Sequence, residues 1–82
     1  MGNEVSYIIY GTTWCPFCEE AMALLDSASV PYMFLDLTEK EDFMLEVKQY
    51  YSSTTVPIIL EGNLGLYEYI GGCSDLKERL NG

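Results

Sequence analysis

Eighty-two residues, 49% of them apolar and 21% charged, suffice for one small folded domain spanning 1–82 and for little more. Thirteen acidic side chains against four basic ones give a net charge of −9, which repels phosphate backbones and anionic lipid surfaces and argues against nucleic acid or a membrane as partner. No apolar run approaches the roughly 20 residues of a bilayer span, and three cysteines with no histidine fall short of a disulfide framework or a four-ligand zinc site.

The first six residues, Met1-Gly2-Asn3-Glu4-Val5-Ser6, match a loose acylation pattern, but they run straight into a strand and acylation is not expected. No basic region followed by an apolar run precedes that strand, so no secretory signal is visible and a reducing, cytoplasmic setting is expected. Val5 to Tyr10 is β-branched and aromatic and reads as a buried strand ending at Gly11. Gly11-Thr12-Thr13 is a turn. Pro16 then sits where proline is tolerated, in the first turn of a helix. Ala21, Leu24, Leu25 and Ala28 recur at helical spacing, and Val30-Pro31 stops the run.

Tyr32 to Leu37 is a second strand. Thr38 with Glu41 three residues on reads as a capping box for a second helix, with Phe43, Val47 and Tyr50 as its inward stripe and an end near Tyr51. Ser52-Ser53-Thr54 is a loop, Ile58 to Leu60 a third strand, Glu61-Gly62-Asn63 a hairpin turn, and Leu66 to Ile70 the returning strand. Gly71-Gly72 ends it, and a last helix opens at Cys73 or Ser74 and runs to Asn81-Gly82. The order is β-α-β-α-β-β-α: a parallel strand–helix–strand unit beside an antiparallel hairpin.

The chemistry lies in Trp14-Cys15-Pro16-Phe17-Cys18. Two thiols three positions apart at a strand-to-helix junction can close into a small disulfide ring, with Cys15 open to solvent and Cys18 one turn inside. A helix N-terminus favours thiolate over thiol at the first position, and thiolate is the species that attacks disulfides. In a reducing compartment such a pair is catalytic or metal-binding rather than structural.

Trp14-Cys15-Pro16-Phe17-Cys18, Thr55-Val56-Pro57 and Gly71-Gly72-Cys73-Ser74-Asp75-Leu76, at these spacings and with this element order, resemble the dithiol glutaredoxins over nearly the whole chain. The resemblance implies an α/β thioredoxin fold with a four-stranded mixed sheet flanked by helices. It implies a glutathione-linked thiol–disulfide oxidoreductase, an electron carrier of cell redox homeostasis, with Cys15 as nucleophile and Cys18 as resolving thiol. It implies glutathione as co-substrate and no tightly bound cofactor or metal. It implies disulfide-containing or glutathionylated proteins as partners, ribonucleotide reductase being a typical substrate of the family; nothing in the sequence demands more than a monomer.

Carried over position by position, glutathione contacts fall on Thr12, Trp14, Phe17, Thr55, Val56, Pro57, Gly72, Cys73, Ser74 and Asp75. The Val56–Pro57 bond is expected to be cis, with the Val56 backbone pairing to the cysteinyl residue. Cys73 and Ser74 offer backbone N–H groups to the γ-glutamyl carboxylate, and Asp75 faces its ammonium; plain helix capping is the other reading of Ser74 and Asp75. Cys73 is either a third redox thiol, its acidity raised by the helix end, or a small half-buried side chain.

The departures are specific. Thr12 stands where the family usually has Lys or Arg, and Ser53-Thr54 where it has a basic residue or Gln, so both usual partners of the glycyl carboxylate are missing. Lys48 is the nearest substitute. Glu19 and Glu20 follow the motif where cations are common and oppose the thiolate. Weak glutathione binding is the expected result. Two other functions compete: a glutaredoxin-like redoxin reduced by thioredoxin reductase, and glutathione-dependent iron–sulfur binding, which Pro16 disfavours.

Overall fold

The computed structural model describes residues 5–81; residues 1–4 of the acylation pattern therefore lie outside the described residues. Seven elements follow in the order β1 (Ser6–Gly11), α1 (Pro16–Ser27), β2 (Tyr32–Asp36), α2 (Glu41–Tyr50), β3 (Ile58–Asn63), β4 (Leu66–Gly71) and α3 (Cys73–Asn81). The sheet runs β2-β1-β3-β4. β1 is parallel to β2 and antiparallel to β3, and β3 is antiparallel to β4.

Alternation along β1 divides the core between the two faces of the sheet. Tyr7 and Ile9 point to one face, where they meet Ala21 and Leu25 of α1, Ile59 of β3, and Cys73 and Leu76 of α3. Tyr10 points to the other, which α2 covers through a smaller cluster of Leu37, Val47 and Ile58. Removing each of these aliphatic side chains from water contributes about 1.5–3 kcal/mol, so the α1–α3 face anchors the fold. That face also carries the two helix N-termini, of α1 and α3, on which the site is built. No helix among the described residues is long and apolar enough to cross a membrane.

Three local expectations are corrected. Thr38 does not cap α2, which starts three residues later with Lys40 at its N-cap and no side-chain cap. Instead the Thr38 N–H and hydroxyl both donate to the Asp36 carboxylate, so this pair closes a turn of its own. The inward stripe of α2 is Met44 and Val47, continued by Tyr51, whereas Phe43 and Tyr50 are exposed. Phe43 still reaches the edge of the Tyr10 ring, at 6.4 Å between centroids.

The hairpin turn falls at Leu64-Gly65 rather than Glu61-Gly62-Asn63. Both central residues have positive φ, 56° and 84°, the two-residue geometry that matches strand twist. Gly62 is instead a strand residue: a Cβ there would stand 2.3 Å from the Leu66 carbonyl oxygen and 2.5 Å from the Tyr67 ring.

Candidate active site

β1 delivers the chain to Gly11, and the loop that follows is tied down before the thiols begin. The Thr13 N–H donates to Thr38 Oγ1 at 3.0 Å, so the β2–α2 turn braces the cysteine loop. The same two Thr38 hydrogen bonds hold the Asp36 carboxyl below the usual carboxylate range. Cys15 is the N-cap of α1 with extended backbone, and Pro16 occupies the first helical position. The Cys15 carbonyl accepts the N–H groups of Cys18 and Glu19, each at 3.1 Å, which fixes Cys18 one turn along on the same face.

Cys15 is less open than expected, at 6% exposed, because its Sγ turns toward the Val56 carbonyl oxygen 3.8 Å away. Its neighbours Trp14 and Phe17 face solvent instead. Cys18 is fully buried, and its Sγ occupies the space that Gly11 leaves by having no side chain: a Cβ on Gly11 would lie 2.5 Å from it.

Burial pushes the Cys18 thiol up to about 12, with the neighbouring Cys15 adding to the rise and the Thr12 backbone hydrogen bond opposing it. Two consequences follow. A thiol whose folded pKa is raised keeps its proton where the unfolded chain, at 9.0, has lost it. Its contribution to stability is therefore full below about pH 9 and is lost as pH climbs through that window toward 12. At pH 8 only about one Cys18 in ten thousand is thiolate, so brief alkylation of the reduced protein is expected to leave Cys18 unmodified, its labelling showing no inflection below about pH 11, as read by peptide mapping.

Beside Cys15 runs an open groove of about 470 Å³. It is lined by the 53–57 loop through Ser53, Thr55, Val56 and Pro57, by the start of α3 through Gly72, Cys73, Ser74 and Asp75, and by the rings of Phe17 and Tyr69. The Val56–Pro57 peptide bond is cis. Gly71 has φ 128°, and a Cβ on it would collide with the Asp75 carboxylate, so glycine alone lets the chain turn into α3 here. Asp75 Oδ2 accepts the Gly72 N–H at 2.9 Å, the acid arm of a capping box, which sets the carboxylate at the mouth of the helix.

Of the sequence-derived candidates, Phe17, Thr55, Val56, Pro57, Gly72, Cys73, Ser74 and Asp75 thus share one groove. Thr12 and Trp14 lie outside it. Thr12 is 1% exposed, and its Oγ1 has no partner among the described residues; Trp14 is 68% exposed on the outer side of the loop. Lys48 does not line the groove either. Cys73 belongs to the main core, and burial, with the Glu20 carboxylate, raises its pKa rather than lowering it. Of the two readings of Cys73, the small buried side chain therefore fits and the acidified redox thiol does not: desolvation outweighs the helix end.

Ser53 and Tyr69 also line the groove: Ser53 belongs to the Ser53-Thr54 pair that stands where the family has a basic residue or Gln, whereas Tyr69 lies outside the motifs. Tyr69 has a signal in hindsight, as the member of the β4 alternation whose ring packs on Tyr51 at 5.2 Å. Among the described residues no group of three or more His, Cys, Asp and Glu is placed to hold a metal ion.

The glutaredoxin family model matches residues 7–64. A glutaredoxin of Pseudomonas aeruginosa is 36% identical over 69 residues, 84% of this chain and 77% of the relative. Among solved structures, wheat glutaredoxin superposes with a TM-score of 0.77 at 22% identity, covering 93% of this chain and 71% of that one. A buckwheat glutaredoxin–glutathione complex superposes at 0.74 with 23% identity, covering 92% and 67%. With its thioredoxin fold and its Cys15/Cys18 pair, the chain belongs to the glutaredoxin family of glutathione-linked thiol–disulfide oxidoreductases.

Proposed function

We propose that Cys15 attacks the disulfide of a protein or of a glutathionylated protein, that Cys18 resolves the resulting bond, and that glutathione occupies the groove as the co-substrate that returns the pair to the dithiol. The observation that carries this reading is the approach of Cys15 Sγ to the Val56 carbonyl, since Val56 is itself a wall of the groove. A cysteinyl residue paired to the Val56 backbone as an added strand brings its sulfur to Cys15. Its γ-glutamyl end then reaches the Cys73 and Ser74 N–H groups at the start of α3, with the Asp75 carboxylate beside its ammonium.

The chemistry balances in thiols. The Cys15 thiolate forms a bond to one sulfur of the target disulfide, and the other leaves as a thiol after taking a proton. Cys18 then attacks Cys15, closing the intramolecular disulfide and releasing the second target thiol. Two glutathione molecules restore the dithiol and leave as glutathione disulfide. Burial keeps Cys18 protonated in the resting state, which reserves the first attack for Cys15. Once Cys15 is in a mixed disulfide, its share in raising the Cys18 pKa is gone, and the Thr12 hydrogen bond remains to favour the Cys18 thiolate.

Glutathionylated and disulfide-bearing proteins, ribonucleotide reductase among them, are the partners this reading assigns, met in the cytoplasm by a single-domain monomer. Reduction by thioredoxin reductase is the second reading, favoured by one observation: no Lys or Arg lines the groove. Supplying the same disulfide substrate with either glutathione and its reductase or thioredoxin reductase separates them. Turnover with glutathione is expected to exceed that with thioredoxin reductase by about tenfold or more; the reverse ratio contradicts the proposal.

A further inference from the structure

The groove has a charge pattern that a γ-glutamyl thiol satisfies at one end only. Asp75 is the one lining residue with a formal charge. All four cations lie elsewhere: Lys77 pairs with Glu20, Arg79 with Glu61 at 3.1 Å, and Lys40 and Lys48 stand outside the groove. Glutathione carries an ammonium and two carboxylates. The α3 N-terminus and Asp75 match the ammonium and the nearer carboxylate. The wall then leads away from α3: the Pro57 carbonyl lies 3.6 Å from where a Cβ on Gly72 would stand, and the chain runs back through Thr55 to Ser53. That stretch offers hydroxyls and backbone but no counter-charge. A second carboxylate there finds no charged side chain in the lining: Lys48 is next to this end, its carbonyl accepting the Ser53 N–H at 2.8 Å, but it does not line the groove, and the net charge of −9 opposes an anion.

On the glutathione reading above, we infer that the groove recognises the γ-glutamylcysteinyl part of its thiol and not the far carboxylate. Its preferred substrates are γ-glutamylcysteine thiols whose far carboxyl group is amidated or extended by a cationic group. Specificity of this kind comes from a charge left unpaired rather than from a new contact. In the step concerned, the Cys15 thiolate bonds to the γ-glutamylcysteinyl sulfur of a mixed disulfide, and the other sulfur leaves as a thiol after protonation.

The test uses the Cys18→Ser chain, in which that step stops at the Cys15 adduct. One reporter peptide is joined by disulfide to glutathione, to glutathione amide, and to the 3-aminopropyl amide of glutathione, and the second-order rate constants are compared. The amide is expected to react at least as fast as the free acid. The aminopropyl amide is expected to react roughly three- to tenfold faster at low salt, the gain vanishing near about 0.5 M salt. A free acid about tenfold faster than its amide, with that preference lost in Lys48→Ala, overturns the inference by placing the carboxylate on Lys48. If all three react no faster than the reporter's disulfide with 2-mercaptoethanol, the glutathione reading itself falls, and the inference with it.

Discussion

Replacing Cys18 with serine is expected to separate two activities that the native chain performs together. Reduction of a protein disulfide needs a second thiol to release the target from Cys15, and Cys18 sits one helical turn away, held by the bond from its N–H to the Cys15 carbonyl. Removal of glutathione from a protein needs only Cys15, because a further glutathione can resolve the adduct. Protein-disulfide reduction should therefore fall by about a thousandfold or more, while deglutathionylation stays within about threefold, as measured on one glutathionylated and one disulfide-bonded protein. Cys73 is a poor stand-in, packed in the core with burial raising its pKa. Retention of both activities contradicts the assignment of Cys18.

The second large effect is expected at a residue with no reactive group. Gly11→Ala places a Cβ 2.5 Å from Cys18 Sγ, 3.2 Å from the Phe34 ring and 3.3 Å from the Cys18 Cβ. Backbone conformation is no obstacle, since Gly11 lies in β1 without positive φ; the obstacle is volume. Overpacking of this kind costs about 1–3 kcal/mol, which in a domain of this size lowers Tm by roughly 4–8 °C for each kcal/mol. The nearest atom is the resolving sulfur itself, so the strain is relieved by moving it. A displacement of about 1 Å at a reacting group is enough to cost around a hundredfold in rate. Protein-disulfide reduction is expected to drop about ten- to a hundredfold and deglutathionylation to remain within about twofold. Equal loss of both activities means a general loss of folded protein; no loss of either means that Cys18 is not closely held by Gly11.

Much of this is legible in the sequence. Local signals placed every element, because each is marked by its own chemistry: Pro16 at the start of α1, Val30-Pro31 past its end, Gly71-Gly72 between β4 and α3. What escaped are features that depend on residues far apart in sequence. Thr38 has the sequence of an N-cap, yet Asp36 and Thr13 compete for its hydroxyl and win, which turns a helix signal into a brace for the cysteine loop. Leu64 is a poor turn residue by composition, so the turn was read onto Gly62, whose lack of a side chain serves the passing Tyr67 ring instead.

The site follows the same division. Thr55, Val56, Pro57 and the 72–75 segment were found from motifs, and the fold brings them to one groove. The burial of Cys15 and Thr12, the outward position of Trp14, and the lining role of Tyr69 depend on how the loops pack, which spacing does not encode. The absence of cations was visible at Thr12 and Ser53-Thr54. The structure adds that Lys77 and Arg79 are already paired and that Lys48 stands off the groove.

The central claim, that Cys15 alone makes the first bond to substrate, is tested most directly by trapping. The Cys18→Ser chain retains two thiols, Cys15 and Cys73, and after reaction with a disulfide-bonded protein the covalent complex can be digested and the linked peptide identified by mass. The predicted result is a mixed disulfide on Cys15 only, with none formed by the Cys15→Ser chain. An adduct on Cys73, or a complex that survives Cys15→Ser, contradicts the account.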